Sequence, residues 1–280
     1  MKKFLLGTIA LSALALGNSA FAADMAPRMY TKAAPVVAPI YNWSGVYAGI
    51  HAGYTFGEGN NIDTSGQIIP GALVQPNVLN VAGGARPGSV GMDRDGFIGG
   101  GQIGYNWQSN SPWVWGLEAD ISYTDIKSNR SVITAPLAPG VGTLTNNFSS
   151  RMEYFGTVRG RVGYAWDRTL VYATGGLAYA EVENNAAFFG PSPANPVLQF
   201  AGGNRDTKTG YTVGGGIEHA WMGNWTVKAE YLYYDLGATT VAVNVIPLSG
   251  GGGIGYNSRF ENDGHIVRAG LNYKFGGMGW

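Results

Sequence analysis

Charged side chains recur at alternate positions in several segments of this chain, and they are the residues best suited to do chemistry. Glu118 and Asp120 share one face of a segment, and Arg159 and Arg161 share one face of the next. Carboxylates beside basic side chains can transfer protons, line a path for ions, or neutralise one another as ion pairs. The whole set is Glu118, Asp120, Arg159, Arg161, Glu218, Lys228, Glu230, Arg268 and Lys274.

Other patterns that look like functional motifs carry little chemistry here. Residues 99–104 match G-x-G-x-x-G, but a dinucleotide site needs this motif between a strand and a helix, and here it lies inside an alternating segment. His51, His219 and His265 lie on separate segments without metal-ligand spacing. No Ser–His–acid set converges on one rim. The sequence therefore predicts no catalytic residue, no metal site and no cofactor.

The elements that must position the charged set are eight segments in which apolar and polar residues alternate. In the last segment, Val267 and Ala269 share one face, and Arg268 and Gly270 share the other. A period of two predicts strands with one face in lipid and one in a lumen, and about 9–11 residues suffice to cross a membrane. The segments are 43–57, 96–108, 112–125, 150–167, 169–183, 206–221, 225–237 and 262–275.

The connections between these segments alternate between short and long, which is typical of outer-membrane barrels. The short ones are 109–111, 167–168 and 222–224, and their lengths keep lipid-facing residues opposite each other. They pair Trp166 with Thr169, and Trp221 with Trp225. The long connections, predicted to be extracellular loops, cover about 58–95, 126–149, 184–205 and 238–261.

Six of the eight tryptophans lie beside the short connections, Trp43 opens the first segment, and Trp280 ends the chain. Tryptophan prefers a membrane–water interface, so a barrel would carry these rings at its periplasmic rim. Trp43 precedes the lipid-facing residues of its strand, which leaves open whether it belongs to the girdle or to the rim itself. The predicted periplasmic aromatic girdle is Trp43, Trp107, Trp113, Trp115, Trp166, Trp221 and Trp225.

The N-terminus has the features of a cleaved secretory signal. Lys2 and Lys3 precede an apolar run, and Ala20 and Ala22 form a small-x-small cleavage site. We therefore expect residues 1–22 to be a signal peptide, residues 23–42 to be a Pro/Ala-rich periplasmic lead-in, and residues 43–280 to form one barrel. Past the signal, no apolar run is long enough for a spanning helix.

Composition excludes several classes of protein. The chain has no cysteine, so neither a disulfide framework nor a thiolate metal site can form. Without residues 1–22 the chain is slightly acidic, which argues against a nucleic-acid partner. Abundant glycine, with 45 residues, and a charged fraction of only 13% are unusual for a soluble enzyme.

Within an eight-stranded barrel the charged set must face the lumen, because Arg or Lys at mid-membrane costs about 2–4 kcal/mol. Such a lumen is just wide enough for side chains to fill. We expect a structural plug of ion pairs in which Glu118 and Asp120 contact Arg159 or Arg161. In the same plug, Glu218 lies across from Lys228, and Glu230 lies beside Arg268. A water-filled ion path or gate, and acid–base catalysis, are the open alternatives.

Several stretches resemble the outer membrane immunogenic proteins, small porin-like outer-membrane β-barrels of alphaproteobacteria. The resemblance implies an all-β fold, an eight-stranded antiparallel transmembrane β-barrel with up-and-down topology, similar to the OmpA transmembrane domain. It also implies insertion by the barrel-assembly machinery. Some relatives are described as surface antigens or haemin binders, but no haem-ligand motif is carried over. The stretches are 41–54, 156–164, 171–179, 229–237 and 267–275.

The C-terminus departs from the usual pattern of such barrels, which end on the aromatic residue that closes the last strand. Phe275, preceded by Tyr273, fits that role, but five more residues follow and end in Trp280. The insertion signal is therefore assigned to Tyr273, Phe275 and Trp280, and which of the last two is the terminal aromatic stays open.

The predicted function is a non-enzymatic structural barrel of the bacterial outer membrane, a surface antigen with a largely plugged lumen. Its expected partners are outer-membrane lipid and lipopolysaccharide. The alternative is a narrow porin-like channel for ions or small solutes. A further alternative is an adhesin or ligand-binding surface protein whose loops contact a host or a small ligand.

Overall fold

The computed structural model of the protein describes residues 41–57, 61–137, 142–191 and 196–276. The predicted signal peptide, nearly all of the lead-in and Trp280 lie outside these residues. In the described ranges no helix is long and apolar enough to cross a bilayer. The elements are β1 (Gly45–Phe56), β2 (Asn61–Gly66), α1 (Pro76–Ala82), β3 (Ser89–Gly91), β4 (Gly96–Gln108), β5 (Trp113–Thr134), β6 (Leu144–Trp166), β7 (Thr169–Phe189), β8 (Leu198–Met222), β9 (Trp225–Val245) and β10 (Gly255–Phe275).

Eight of these strands form a closed antiparallel ring. From β4 to β10 each strand pairs with the next along the chain, β1 pairs with β4, and β1 also pairs with β10. The closing ladder runs from Val46 opposite Phe275 to Phe56 opposite His265. Closure leaves no unpaired sheet edge around the ring. The protein is therefore an all-β, up-and-down, eight-stranded barrel, as the alternating pattern predicts.

One end of the barrel carries the three short connections, and we call it the short-turn end; the opposite end is the loop end. Trp166 lies opposite Thr169, which confirms the predicted register. The predicted pairing of Trp221 with Trp225 is wrong, because Met222 lies opposite Trp225. An irregularity between Ala220 and Met222 absorbs the extra residue, and Glu218 still lies opposite Lys228.

The strands reach much further toward the loop end than the sequence analysis expected. β5 and β6 pair as far as Thr134 opposite Leu144, and Phe200 of β8 lies opposite Val245 of β9. Much of the predicted loops 126–149, 184–205 and 238–261 is therefore strand. Their many Gly, Asn and Ser residues suggested loops, but alternate positions are buried, and several of them, such as Phe148, Ala186 and Val243, are apolar. The remaining long connection, 57–95, contains β2, α1 and β3.

Part-way along β5, the buried side of the barrel changes from charged to apolar, and the exposed side changes from apolar to charged. Below Tyr123, side chains such as Leu117 and Ile121 are exposed on the outer face while Glu118 is buried. Beyond it, Lys127 is exposed and Ile126 is buried. A register shift between Tyr123 and Ile126 marks the change. We call the part beyond Tyr123 the head, and the part from Tyr123 to the short-turn end the membrane section.

The lumen is filled in layers, which the buried residues of β9 show in order along the strand. Lys228 and Glu230 come first, Leu232 and Tyr234 follow, and Val243 comes last. The second layer, the middle cluster, is Ile98, Ile126, Met152, Phe155, Ala178, Ala180, Val182, Leu232, Tyr234, Leu236 and Ile266. The third, the head core, is Ile62, Val90, Met92, Phe148, Ala186, Phe188, Phe200, Val241, Val243, Tyr256 and Phe260.

Trp43 does not belong to an outer aromatic girdle, and this prediction is wrong. Its side chain is 1% exposed and packs with Val114, Leu170 and Tyr172. Its ring meets Tyr41 edge-on at 4.9 Å between centroids. The residue precedes β1, so the chain crosses the mouth of the barrel there, and the ring fills the lumen at the short-turn end instead of facing lipid.

Candidate functional site: the charged lumen

The predicted lumen residues meet in one layer of the membrane section. Five strands contribute them: Glu118 and Asp120 lie on β5, Arg159 and Arg161 on β6, Glu218 on β8, Lys228 and Glu230 on β9, and Arg268 on β10. Alternation turns each of them inward, and all are buried. We call these eight residues the charge cluster. The ninth predicted residue, Lys274, lies apart from them.

Arg159 contacts three carboxylates and stands at the centre of the cluster. Its Nη2 lies 2.5 Å from Glu118 Oε1 and 3.2 Å from Asp120 Oδ2. Its Nη1 lies 3.0 Å from Glu230 Oε1. The Arg159 side chain is 0% exposed, so these are charge-assisted hydrogen bonds shielded from water. The predicted contact of Glu118 and Asp120 with Arg159 is present.

Arg268 closes the cluster from the other side of the ring. Its Nη1 and Nη2 each lie 3.1 Å from a different oxygen of Asp120, which is the two-pronged geometry that arginine forms with a carboxylate. Its Nε donates to Glu230 Oε2 at 2.7 Å. The predicted proximity of Glu230 and Arg268 is therefore also present.

Lys228 and Glu218 were expected to pair with each other, but each binds a different residue. They lie opposite each other in the β8–β9 ladder. However, Lys228 Nζ donates to both oxygens of Glu118, at 2.8 and 3.0 Å, across the lumen. Glu218 accepts from Arg161 Nη1 at 3.0 Å. In a narrow lumen, a long side chain can reach a carboxylate on a distant strand as easily as one on its neighbour.

Hydroxyl groups that the sequence analysis did not assign complete the cluster. Tyr47 donates to Glu118 Oε2 at 2.7 Å, and Tyr172 donates to Glu230 Oε1 at 3.0 Å. Thr157 donates to Asp120, and Thr226 to Glu218, each at 2.5 Å. Thr157 and Thr226 share the parity of the charged positions on β6 and β9, and both tyrosines lie at buried alternate positions of their own strands. Alternation was therefore the signal that could have found them.

Arg161 lies between two aromatic rings. Its guanidinium carbon is 4.9 Å from the centroid of Tyr47 and 5.0 Å from that of Tyr172. Its Nε also donates to Asn106 at 2.8 Å. Desolvated cation–π contacts of this kind contribute up to about 2 kcal/mol. The rings of Tyr47 and Tyr172 and the charge cluster therefore pack together as one unit.

The glycine-rich stretch 99–104 lies within strand β4, as the sequence analysis interpreted it. A side chain at Gly104 would occupy the space of the Tyr47 ring. Glycine therefore makes room for the ring that binds Glu118 and Arg161, and no helix follows this stretch to form a dinucleotide site.

Lys274 closes the short-turn end by itself. Its Nζ donates to the backbone oxygen of Asn42 and lies 4.4 Å from the centroid of the Tyr41 ring. Among the described residues, no carboxylate forms an ion pair with it. It holds the segment before β1 against the last strand, so its contacts are structural and separate from the charge cluster.

The charge cluster is balanced. Four carboxylates face four cations, and each carboxylate binds a cation and a neutral donor or a second cation. No group of three or more His, Cys, Asp or Glu side chains in the described ranges is placed to hold a metal ion. The arrangement can neutralise buried charge and tie strands together across the lumen.

Comparison with known proteins agrees with this architecture. Residues 8–275 match the family model described as an outer membrane protein beta-barrel domain. The chain belongs to this outer membrane β-barrel family. It is 36% identical over 280 residues to the 31 kDa outer-membrane immunogenic protein of Brucella melitensis, which covers 98% of this chain and 100% of that protein.

This outer membrane β-barrel protein is also similar to a second relative and to a solved structure. The 22 kDa outer membrane protein of Rhizobium leguminosarum bv. viciae is 30% identical over 70% of this chain and 76% of its own length. The solved structure of OprG from Pseudomonas aeruginosa aligns with a TM-score of 0.46 at 15% identity, over 83% of this chain and 96% of that one.

The outer surface of the membrane section carries the other predicted tryptophans at one rim. Trp113 and Tyr123 bound the apolar face of β5, ten residues apart. At about 3.3 Å per residue and a tilt of about 40°, this distance corresponds to about 25 Å, the height of a lipid-facing apolar band. The exposed rings at the short-turn end are Trp107, Trp113, Trp115, Trp166, Trp221 and Trp225.

The last strand ends in two aromatic residues at the same rim. Tyr273 packs edge-on against Trp225, with 5.0 Å between ring centroids, and Phe275 is exposed on the outer face. Both positions suit aromatic residues that contact lipid while β10 pairs with β1 to close the barrel. Trp280 lies outside the described residues, so the assignment of the insertion signal stays a prediction.

Proposed function

We propose that this outer membrane protein is a non-enzymatic structural barrel with a closed lumen, which displays a folded head at the cell surface. The observation that carries the proposal is the layered filling of the lumen. Arg159 and Arg268 have fully buried side chains at the level of the charge cluster. Apolar clusters pack on both sides of them.

A channel would need a continuous path for water past these layers. Ions pass a lumen when charged walls face water, whereas here the carboxylates and cations bind one another. The middle cluster and the head core present apolar side chains, which offer no hydration to an ion. Both features favour the structural interpretation over a narrow porin.

Catalysis is a poor match for the same geometry. A general acid or base must reach a substrate within hydrogen-bond distance. Every carboxylate of the charge cluster is already bound and nearly inaccessible. The two relatives described above are named as outer-membrane or outer-membrane immunogenic proteins, which suits a displayed, non-enzymatic component.

Planar-bilayer recording tests the proposal. The refolded full-length mature chain, whose folding is verified by heat-modifiable gel mobility, is expected to give no conductance above the bare bilayer. A general porin inserted under the same conditions shows that the assay detects pores. Stable conductance steps from the folded protein would overturn the closed lumen and favour the channel alternative.

A further inference from the structure

Leucine side chains project from the outermost surface of the head. This surface, which we call the tip, consists of the described residues of the four connections at the loop end, 67–88, 135–143, 190–197 and 246–254. Leu73 and Leu248 are fully exposed, at 103% and 106% of the reference accessibility. The other exposed apolar side chains of the tip are Ile68, Val74, Val78, Leu79, Leu137, Val197 and Ile254.

The tip exposes no charged side chain, whereas the wall of the head below it is rich in exposed charge. No Asp, Glu, Lys or Arg occurs in 64–85, 131–150, 184–204 or 236–258. Arg86 is the exception in the first connection, and it is buried over the rings of Phe188 and Phe200. Burial lowers the pKa of its guanidinium. The wall carries a collar of ion-paired side chains: Asp125, Lys127, Arg151, Glu153, Glu181, Arg205, Asp206, Lys208, Arg259 and Glu261.

Hydrogen bonds tie the connections into one preformed surface. Thr134 Oγ1 donates to the Ala85 oxygen at 2.7 Å, which joins the first connection to the end of β5. Asn77 Nδ2 donates to the Gly252 oxygen at 3.0 Å, which joins α1 to the last connection. Arg86 Nη1 donates to the Phe189 oxygen at 3.1 Å. Hydrogen bonds between the connections therefore hold in place the backbone that carries the exposed leucines.

We propose that the tip inserts its leucines into the surface of a zwitterionic lipid bilayer that faces the cell. Isolated leucines on separate turns suit insertion among acyl chains, where leucine transfer is favourable and any charge is costly. Protein interfaces are instead enriched in exposed Tyr, Trp and Arg, and the described tip exposes none of these. Anionic lipid would require exposed basic side chains, and the one basic residue of the tip, Arg86, is buried.

This inference goes beyond the proposed function and uses only its outward orientation of the loop end. An uncharged apolar tip above a charged collar gives a defined depth of insertion, because the collar must stay in water. The same physics separates the membrane section, which is apolar outside, from the head wall. The protein would then hold a second bilayer close to its own without a specific receptor.

A single fluorescent label tests insertion, because the chain contains no cysteine to compete for it. Leu248→Cys carries an environment-sensitive dye on the full-length mature protein held in nanodiscs, and phosphatidylcholine vesicles are added. We expect the emission to rise and shift to the blue. Thr240→Cys, exposed on the head wall, is the matched control and is expected to keep its emission.

Vesicle flotation supplies the second readout. Leu73→Asp with Leu248→Asp is expected to weaken vesicle binding by about tenfold or more, because aspartate opposes entry into lipid. Asn129→Asp with Thr240→Asp adds the same charge to the wall and is expected to leave binding unchanged. Binding is also expected to be insensitive to salt and no stronger for phosphatidylglycerol vesicles.

Three results would overturn the inference. The first is an unchanged Leu248 label in the presence of vesicles. The second is equal responses from the Leu248 and Thr240 labels. The third is self-association in sedimentation that the leucine substitutions abolish while vesicle binding is absent, which would assign the tip to a second copy of this chain. Bilayer conductance is measured separately, so failure of the closed lumen and failure of the tip give different results.

Discussion

At the scale of residues, the membrane section depends on shared partners more than on isolated pairs. Glu118 accepts from Arg159, Lys228 and Tyr47, and Asp120 accepts from both Arg159 and Arg268. Removing one member therefore leaves several others short of a partner. A buried ion pair is weak evidence for net stability, yet breaking one is costly, because the remaining charge stays buried.

Arg159→Ala is expected to lower the free energy of unfolding by about 3–5 kcal/mol, because it leaves buried carboxylates without their shared cation. Urea unfolding in lipid vesicles, followed by tryptophan fluorescence, measures the loss. Arg130→Ala is the matched control, since Arg130 lies exposed on the outer wall of the head. Equal effects of the two substitutions would contradict a central role for Arg159.

At the scale of elements, a long strand alternates with period two but serves two environments. β9 buries Lys228 and Glu230 in the membrane section, and it buries Val241 and Val243 in the head. A break at Gly237, whose φ is +72°, moves the inward positions from even to odd numbers, and the chemistry of the inward side changes from charged to apolar. Alternation therefore sets which residues are inside, and the surroundings of the barrel set whether the inside must be polar or apolar.

Neighbouring positions on β9 offer a matched test of the head core. Val243→Asp places a charge among Phe200, Tyr256 and Phe260, so we expect the head to open while the membrane section stays folded. Ala242→Asp places the same charge on the exposed face and is expected to be tolerated.

Limited proteolysis of the two variants in lipid vesicles distinguishes them. For Val243→Asp we expect rapid cleavage within the head and unchanged heat-modifiable mobility of the barrel. For Ala242→Asp we expect the wild-type cleavage rate. If the two variants are cleaved alike, the buried cluster does not hold the head together.

At the scale of the whole molecule, the barrel is built for two solvents. Its membrane section has an apolar exterior bounded by tryptophans and a balanced charged interior. Its head has a charged exterior and an apolar interior. The boundary lies near Tyr123, where the β5–β6 register shifts. This single reversal defines where lipid ends and water begins.

Single cysteines in the otherwise cysteine-free chain test that boundary and the orientation. In intact cells, a membrane-impermeant maleimide is expected to label Lys127→Cys on the head wall. Ile121→Cys, which faces lipid, is expected to stay unlabelled. Asn110→Cys at the short-turn end is expected to react only after the outer membrane is permeabilised. Labelling of Asn110→Cys in intact cells would reverse the orientation.

Much of the charged lumen was predictable, because inward parity is a local property of a strand. The same parity would have included Tyr47 and Tyr172, whose hydroxyl groups bind Glu118 and Glu230. Lys228 was placed correctly in register but paired with the wrong carboxylate, since Glu118 lies across the lumen and only a closed ring brings the two together. Trp43 was placed on the wrong surface for a related reason: what fills the mouth of a barrel depends on every strand around it.

From the sequence alone one can predict the alternation of polar and apolar residues and the number of barrel strands. The inward-facing positions of Glu118, Asp120, Arg159 and Arg161 are predictable in the same way. Each of these depends on residues close together in the chain, so local pattern carries them. The folded structure was needed to show which cation binds which carboxylate in the charge cluster, that Trp43 is buried, and how far the head extends. These depend on contacts between strands that are far apart in the chain, and on where the barrel leaves lipid for water.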